Sequence, residues 1–128
     1  MEAMTTIDEL RRANIDVTIA SVKKQIQVDA CHGVKIVADA LISNCVDIGF
    51  DLISLPGEMP SAATLGDYDI LENMVKKHAD DGQLYAGIYA APAVALGSWG
   101  LMKGFKATCY LSFMEQLSST ATIVESRV

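Results

Sequence analysis

Very little in this chain points to a prosthetic group or a covalent framework. Histidine occurs twice, as His32 and His78, and cysteine three times, as Cys31, Cys45 and Cys109. The thiols are widely spaced and form no CxxC pair. That excludes a zinc finger and a disulfide scaffold and fits reduced cysteines. Neither a metal nor a cofactor is expected. No apolar run approaches the roughly 20 residues of a membrane-spanning helix. The opening Met1-Glu2-Ala3-Met4 has neither the basic flank nor the long apolar core of a secretory leader. The expected setting is cytoplasmic, with a plastid address upstream of Met1 left open. Ten basic residues stand against sixteen acidic ones, for a net charge of −6. The longest basic runs are the pairs Arg11-Arg12, Lys23-Lys24 and Lys76-Lys77, too scattered for a nucleic-acid surface.

What is present is an apolar, alternating pattern. The chain has 128 residues, 51% of them hydrophobic, enough for one domain with a real core. Periodicity predicts a helix over 1–14, with Met4, Ile7 and Leu10 on one face, and a strand over 15–20. Residues 22–33 read as a loop with a short edge strand, 34–37 as another edge strand, and 39–42 as a short helix capped by Asp39. A strand over 50–55 stops at Pro56-Gly57, and 58–67 reads as loop. A helix over 69–79 carries the stripe Ile70, Met74 and Val75, with His78 as a surface residue suited to its C-terminal end. A buried strand follows over 84–88, then a helix over 91–99 and a turn over 100–104. A strand over 106–111 that places Cys109 in the core, a helical turn over 113–117 and a strand over 121–124 complete the chain. Trp99 and Phe113 read as packing residues. Strand and helix alternate at the spacing of βαβ units, which predicts an α/β fold with a mostly parallel sheet in one domain, 1–128. Such a domain usually opens on a central strand and closes on a helix. Neither is expected within 1–128.

The stretch Leu84-Tyr85-Ala86-Gly87-Ile88-Tyr89-Ala90-Ala91-Pro92 carries the functional reading. A strand turns into a helix with almost nothing between. Such a bend holds one side chain above the carboxyl ends of the strands, where open α/β sheets place their chemistry. The residue at the bend is Tyr89, whose phenol is no ready nucleophile.

Taken in order, several stretches resemble the ThiJ/PfpI superfamily, in its DJ-one-like branch, and most of all the first half of its tandem plant members. They are Met1-Glu2-Ala3 before Asp8-Glu9-Leu10-Arg11-Arg12, Asp16-Val17-Thr18-Ile19-Ala20-Ser21, Phe50-Asp51-Leu52-Ile53 with Leu55-Pro56-Gly57, the bend itself with Ala95-Leu96-Gly97, and Glu125-Ser126-Arg127-Val128. The resemblance implies a flavodoxin-like three-layer sandwich, usually a homodimer, here without its first strand and final helix. It also implies a catalytic cysteine at the bend, an acidic partner on the first helix, and oxyanion donors around Gly57, Glu58 and Ala90. Members are described as glutathione-independent glyoxalases, protein deglycases, oxidative-stress sensors and chaperones. Carried over by position, Glu2 matches the acidic partner and Tyr89 stands where the cysteine is expected. Glu58 replaces the second glycine of the turn, putting a carboxylate where donors are needed.

Two readings of Tyr89 remain: a phenolic acid or hydrogen-bond donor in a re-purposed pocket, or a side chain filling a dead one. The second is favoured. Glu2 is either a retained acid or a helix-dipole partner. Cys31, beside His32, is the best redox thiol, though a loop thiol of no consequence is the plainer reading. The expected function is that of a degenerate, non-catalytic domain: an interaction or dimerising module, or a truncated gene product with no biochemical role. The alternative is a glyoxalase or deglycase acting on α-oxoaldehydes such as methylglyoxal.

Overall fold

The computed structural model describes residues 1–126. They fall into two compact units, Met1 with Ala3–Gly49 and Glu2 with the described residues from Phe50 onward. The side chain of Cys31 and residues 127–128 lie outside what is described.

Helix α1 spans Glu2–Arg12, with Glu2 in its first turn and Arg11 and Arg12 in its last, the arrangement the helix dipole favours. The strand expected over 15–20 is reduced to β1, Ala20–Ser21. It pairs in parallel with β4, Ala40–Leu41. β2, Gln27–Asp29, and β3, Lys35–Val37, form an antiparallel pair. The short helix expected at 39–42 does not form. Asp39 caps nothing; its carboxylate accepts the backbone N–H of Ile19 at 2.8 Å and the Arg11 guanidinium at 3.1 Å. Those bonds hold residues 40–41 extended beside β1, and only Ile42–Asn44 turn, as a 3₁₀ segment.

The second unit is built on β5, Leu52–Leu55, and β6, Leu84–Gly87, a parallel pair in the register Leu52 to Leu84 and Leu55 to Gly87. The β6 strand is not buried as its apolar run suggests. Side chains alternate across a ladder, and one face exposes Leu52, Ser54, Leu84 and Ala86 while Leu55 on the other is buried. The loop expected at 58–67 contains α2, Ser61–Gly66. Ser, Thr and Gly are weak helix formers, so close packing decides this segment. A Cβ on Gly66 would lie 2.9 Å from the Val94 carbonyl oxygen, and Ala62 is fully buried.

Helix α3, Asp69–Asp80, turns inward on Leu71, Val75 and His78 rather than on Ile70 and Met74. The i, i+4, i+7 spacing of these three is one helical face, and Ile70 is exposed. His78 is therefore not a surface residue: its Nε2 lies 2.7 Å from the Leu84 carbonyl, tying α3 to β6. The helix expected over 91–99 is a π-helical turn, Pro92–Gly97. Gly97 is needed there, because a Cβ would crowd Thr120 Oγ1 at 2.9 Å and the Pro92 carbonyl at 3.0 Å. Trp99 packs as expected, buried, with its indole N–H on the Gly66 carbonyl at 3.0 Å.

β7, Lys106–Ala107, pairs in parallel with β8, Thr122–Ile123. The strand expected to run to residue 111 ends early because the Tyr110 N–H is drawn to the Tyr89 carbonyl at 2.9 Å. A 3₁₀ turn, Leu111–Phe113, leads into α4, Met114–Ser118. A small core forms where Ala93, Ala107 and Leu117 meet, with Met102, Cys109, Phe113 and Ala121 against it. Cys109 is thus half-buried at a core edge rather than inside a strand. Among the described residues no helix is long and apolar enough to cross a membrane.

Leu117 is fully buried and Leu111 is 79% exposed. Leu117→Ala is expected to lower the unfolding free energy by about 2–5 kcal/mol through transfer and cavity costs. Leu111→Ala should change it by no more than about 0.5 kcal/mol. Urea unfolding of both variants checks the contrast; equal costs would mean that this core is misplaced.

Candidate functional site

The site begins with a backbone conformation. Ile88 extends the β5–β6 ladder by one bond, its N–H on the Leu55 carbonyl at 3.2 Å. The next residue, Tyr89, has φ of 60°. A non-glycine residue there costs roughly 1–2 kcal/mol and persists only where surrounding structure fixes it. Ala90 and Ala91 are fully buried and Pro92 opens the π-helical turn. The strand-to-helix bend read from the sequence is therefore present, with Tyr89 at its apex.

The turn after β5 holds this bend from below. The Ala90 N–H reaches the Gly57 carbonyl at 3.3 Å. A Cβ on Gly57 would overlap the Ile88 carbonyl oxygen and come within 2.7 Å of the Ala90 nitrogen. Only glycine fits. The Ala90 amide, one of the oxyanion donors that the resemblance implies, thus has a carbonyl acceptor within the protein.

Above the bend, the Tyr89 ring is committed to packing. It stacks on Tyr110 with centroids 4.5 Å apart and planes 22° apart, and meets Phe113 edge-on at 6.3 Å. Aromatic pairs of this kind each contribute about 0.5–1.5 kcal/mol beyond area burial, comparable with the strain at Tyr89. Nothing local in the sequence signals the Tyr110 partner, which lies far along the chain and is brought in by the backbone bond to Tyr89.

Glu58 follows Gly57 and is hydrogen-bonded by the Glu2 side chain. That bond holds the Glu58 carboxyl down at about 2 against partial burial, helped by its own backbone amide. Glu58 is thereby held as its carboxylate, one residue from the seat of the bend. Negative charge there opposes an oxyanion forming at the bend.

The structure therefore brings Glu2 to Glu58 and sets Gly57 under Ala90. Cys31 contributes no described side chain. Among the described residues no group of three or more His, Cys, Asp or Glu side chains is placed to hold a metal ion. Cys109 escaped notice in the sequence as part of this neighbourhood: it precedes Tyr110, and burial pushes its thiol up.

A parallel strand entering a helical turn through one residue at positive φ, with a neighbouring strand's glycine turn beneath it, defines an α/β protein of the strand–elbow–helix kind. The chain belongs to the DJ-1/PfpI family, whose sequence profile matches residues 1–128. It is 58% identical to Protein DJ-1 homolog B of Arabidopsis thaliana over 99% of its own length and 29% of that protein's. It is similar to oxidized Toxoplasma gondii DJ-1 at a TM-score of 0.90 and 41% identity, covering 94% of this chain and 66% of that one. Drosophila melanogaster DJ-1beta superposes at 0.94 with 29% identity, covering 99% of this chain and 68% of that one. The chain thus spans under a third of the plant relative and about two thirds of the solved chains. Its fold is the flavodoxin-like α/β fold of these structures.

The Glu58 carboxyl sits near 2 in the folded chain against an ordinary 4.5. A depressed pKa stabilises the fold above the unfolded value and loses that contribution as pH falls through the folded one. Stability should therefore drop between about pH 4.5 and pH 2, and Glu58→Gln should flatten that slope. Urea unfolding at stepped pH measures both; parallel curves would show that the Glu58 carboxyl is not held low in the folded chain.

Proposed function

We propose that this chain is a non-catalytic member of the DJ-1/PfpI family, acting as an interaction or homodimerising module over 1–128 in the cytoplasm. The observation that carries this reading is Tyr89 at the bend, its ring stacked on Tyr110. In the glyoxalase or deglycase chemistry that the resemblance implies, a sulfur adds to the aldehyde carbon and a carboxyl moves the proton. A phenol is mostly protonated at neutral pH, and this one is engaged in packing. The Glu58 charge beside the seat and the engaged Ala90 amide support the same reading.

The second reading is turnover of α-oxoaldehydes such as methylglyoxal. The retained bend and the 58% identity to the plant relative favour it. Methylglyoxal consumption by the purified chain separates the two. The expected result is no turnover above buffer, and none gained in Tyr89→Cys, because Glu58 remains. A robust rate abolished by Tyr89→Phe would overturn the non-catalytic reading. Sedimentation of the same sample is expected to show a dimer.

A further inference from the structure

Two phenols lie face to face at the bend. The Tyr89 and Tyr110 rings have centroids 4.5 Å apart and planes 22° apart, and Phe113 meets the Tyr89 ring edge-on at 6.3 Å. Tyr89 is half-buried and Tyr110 is 48% exposed, so a diffusing oxidant reaches the pair from solvent. We propose that Tyr89 and Tyr110 are a site of oxidative modification. A one-electron oxidant of the peroxidase class couples the two rings into a dityrosine and locks the bend to the segment entering α4. The coupling needs no substrate bound at the bend, so it stands whether or not the chain turns over an aldehyde.

Each phenol loses one electron to the oxidant and its hydroxyl proton to water, leaving a phenoxyl radical with spin on the ring carbons beside the C–O bond. Two such carbons, one from each ring, form a C–C bond. The hydrogens they carried pass to the two oxygens, so both phenols are restored. With hydrogen peroxide as terminal oxidant, two tyrosines and one peroxide give one dityrosine and two waters. In solution this coupling waits for two radicals to collide, whereas a held pair has its encounter already arranged. The Tyr110 N–H on the Tyr89 carbonyl at 2.9 Å fixes the two backbones side by side. The rings then need only tilt out of the stack, and the exposed edge of Tyr110 gives room for it. Among the described residues no other tyrosine lies against a second one. The Tyr85 hydroxyl is instead taken up by the Leu101 carbonyl at 2.8 Å. A bond between residues 89 and 110 closes the chain between them and restrains its unfolded state as a disulfide does.

The test is oxidation of the dilute full chain with a peroxidase and hydrogen peroxide, read by dityrosine fluorescence and by mass spectrometry of the digested product. The expected product is a single chain lighter by two hydrogen atoms, with the peptides that carry Tyr89 and Tyr110 joined. Tyr89→Phe and Tyr110→Phe keep the ring and nearly its volume, so both should fold, but each removes a hydroxyl that the radical needs. Either should cut the emission about tenfold or more, since chance encounters replace an oriented pair, while Tyr68→Phe leaves it unchanged. The oxidised wild-type chain should unfold at higher urea than the untreated one, and oxidised Tyr89→Phe should not. Emission retained in Tyr89→Phe or in Tyr110→Phe, a crosslink mapped to other residues or between chains, or an unmoved urea midpoint would overturn the proposal.

Discussion

The seating of Ile88, Tyr89 and Ala90 on Gly57 is the constraint on which the site depends. Tyr89 occupies a backbone conformation that costs an ordinary residue about 1–2 kcal/mol, so something must hold it. The parallel β5–β6 ladder delivers Ile88, the Gly57 carbonyl takes the Ala90 amide, and the Tyr89 carbonyl takes the Tyr110 amide. With both ends fixed, the residue between cannot relax. The geometry of a strained elbow thus survives whatever side chain occupies it, because backbone groups enforce it.

Side chains then decide what the elbow is worth. A small reactive residue would stand free at the apex, whereas a tyrosine carries enough apolar surface to find partners. Its ring finds Tyr110 and Phe113, and the elbow becomes an anchor for the segment entering α4. On the opposite side, the bond to Glu2 keeps Glu58 anionic beside the turn. Both features oppose carbonyl chemistry for separate reasons: one fills the apex, the other puts the wrong sign of charge next to it. Membership of the DJ-1/PfpI family sets the frame in which these departures are seen, and the frame alone does not fix an activity.

The sequence carried the bend in plain form. An apolar β-branched and aromatic run, an abrupt change to alanine and a proline suited to a first helical turn located it to within a residue. Helix α3 was legible from its length and terminal charges, yet its inward face was misjudged by one position. The chosen stripe ended at Val75, whereas the helix buries Leu71 and His78 as well. Histidine at a helix end reads as surface until a carbonyl from another element takes its ring nitrogen. Helix α2 was missed because Ser61, Thr64 and Gly66 look like loop, and close contact with the 92–97 segment overrides their propensities.

The residue types and their order, by themselves, determined the α/β alternation, the position of the elbow and the presence of a phenol on it. Those follow from periodicity and from the few residues that can start or stop an element. Tertiary structure alone decided that Asp39 serves Ile19 and Arg11 instead of a helix, that Glu2 meets Glu58, and that Cys109 meets Met114 beside the Tyr89–Tyr110 stack. Each of these is a contact between segments that local pattern does not link, set by how the backbones pack and not by the propensity of any single stretch.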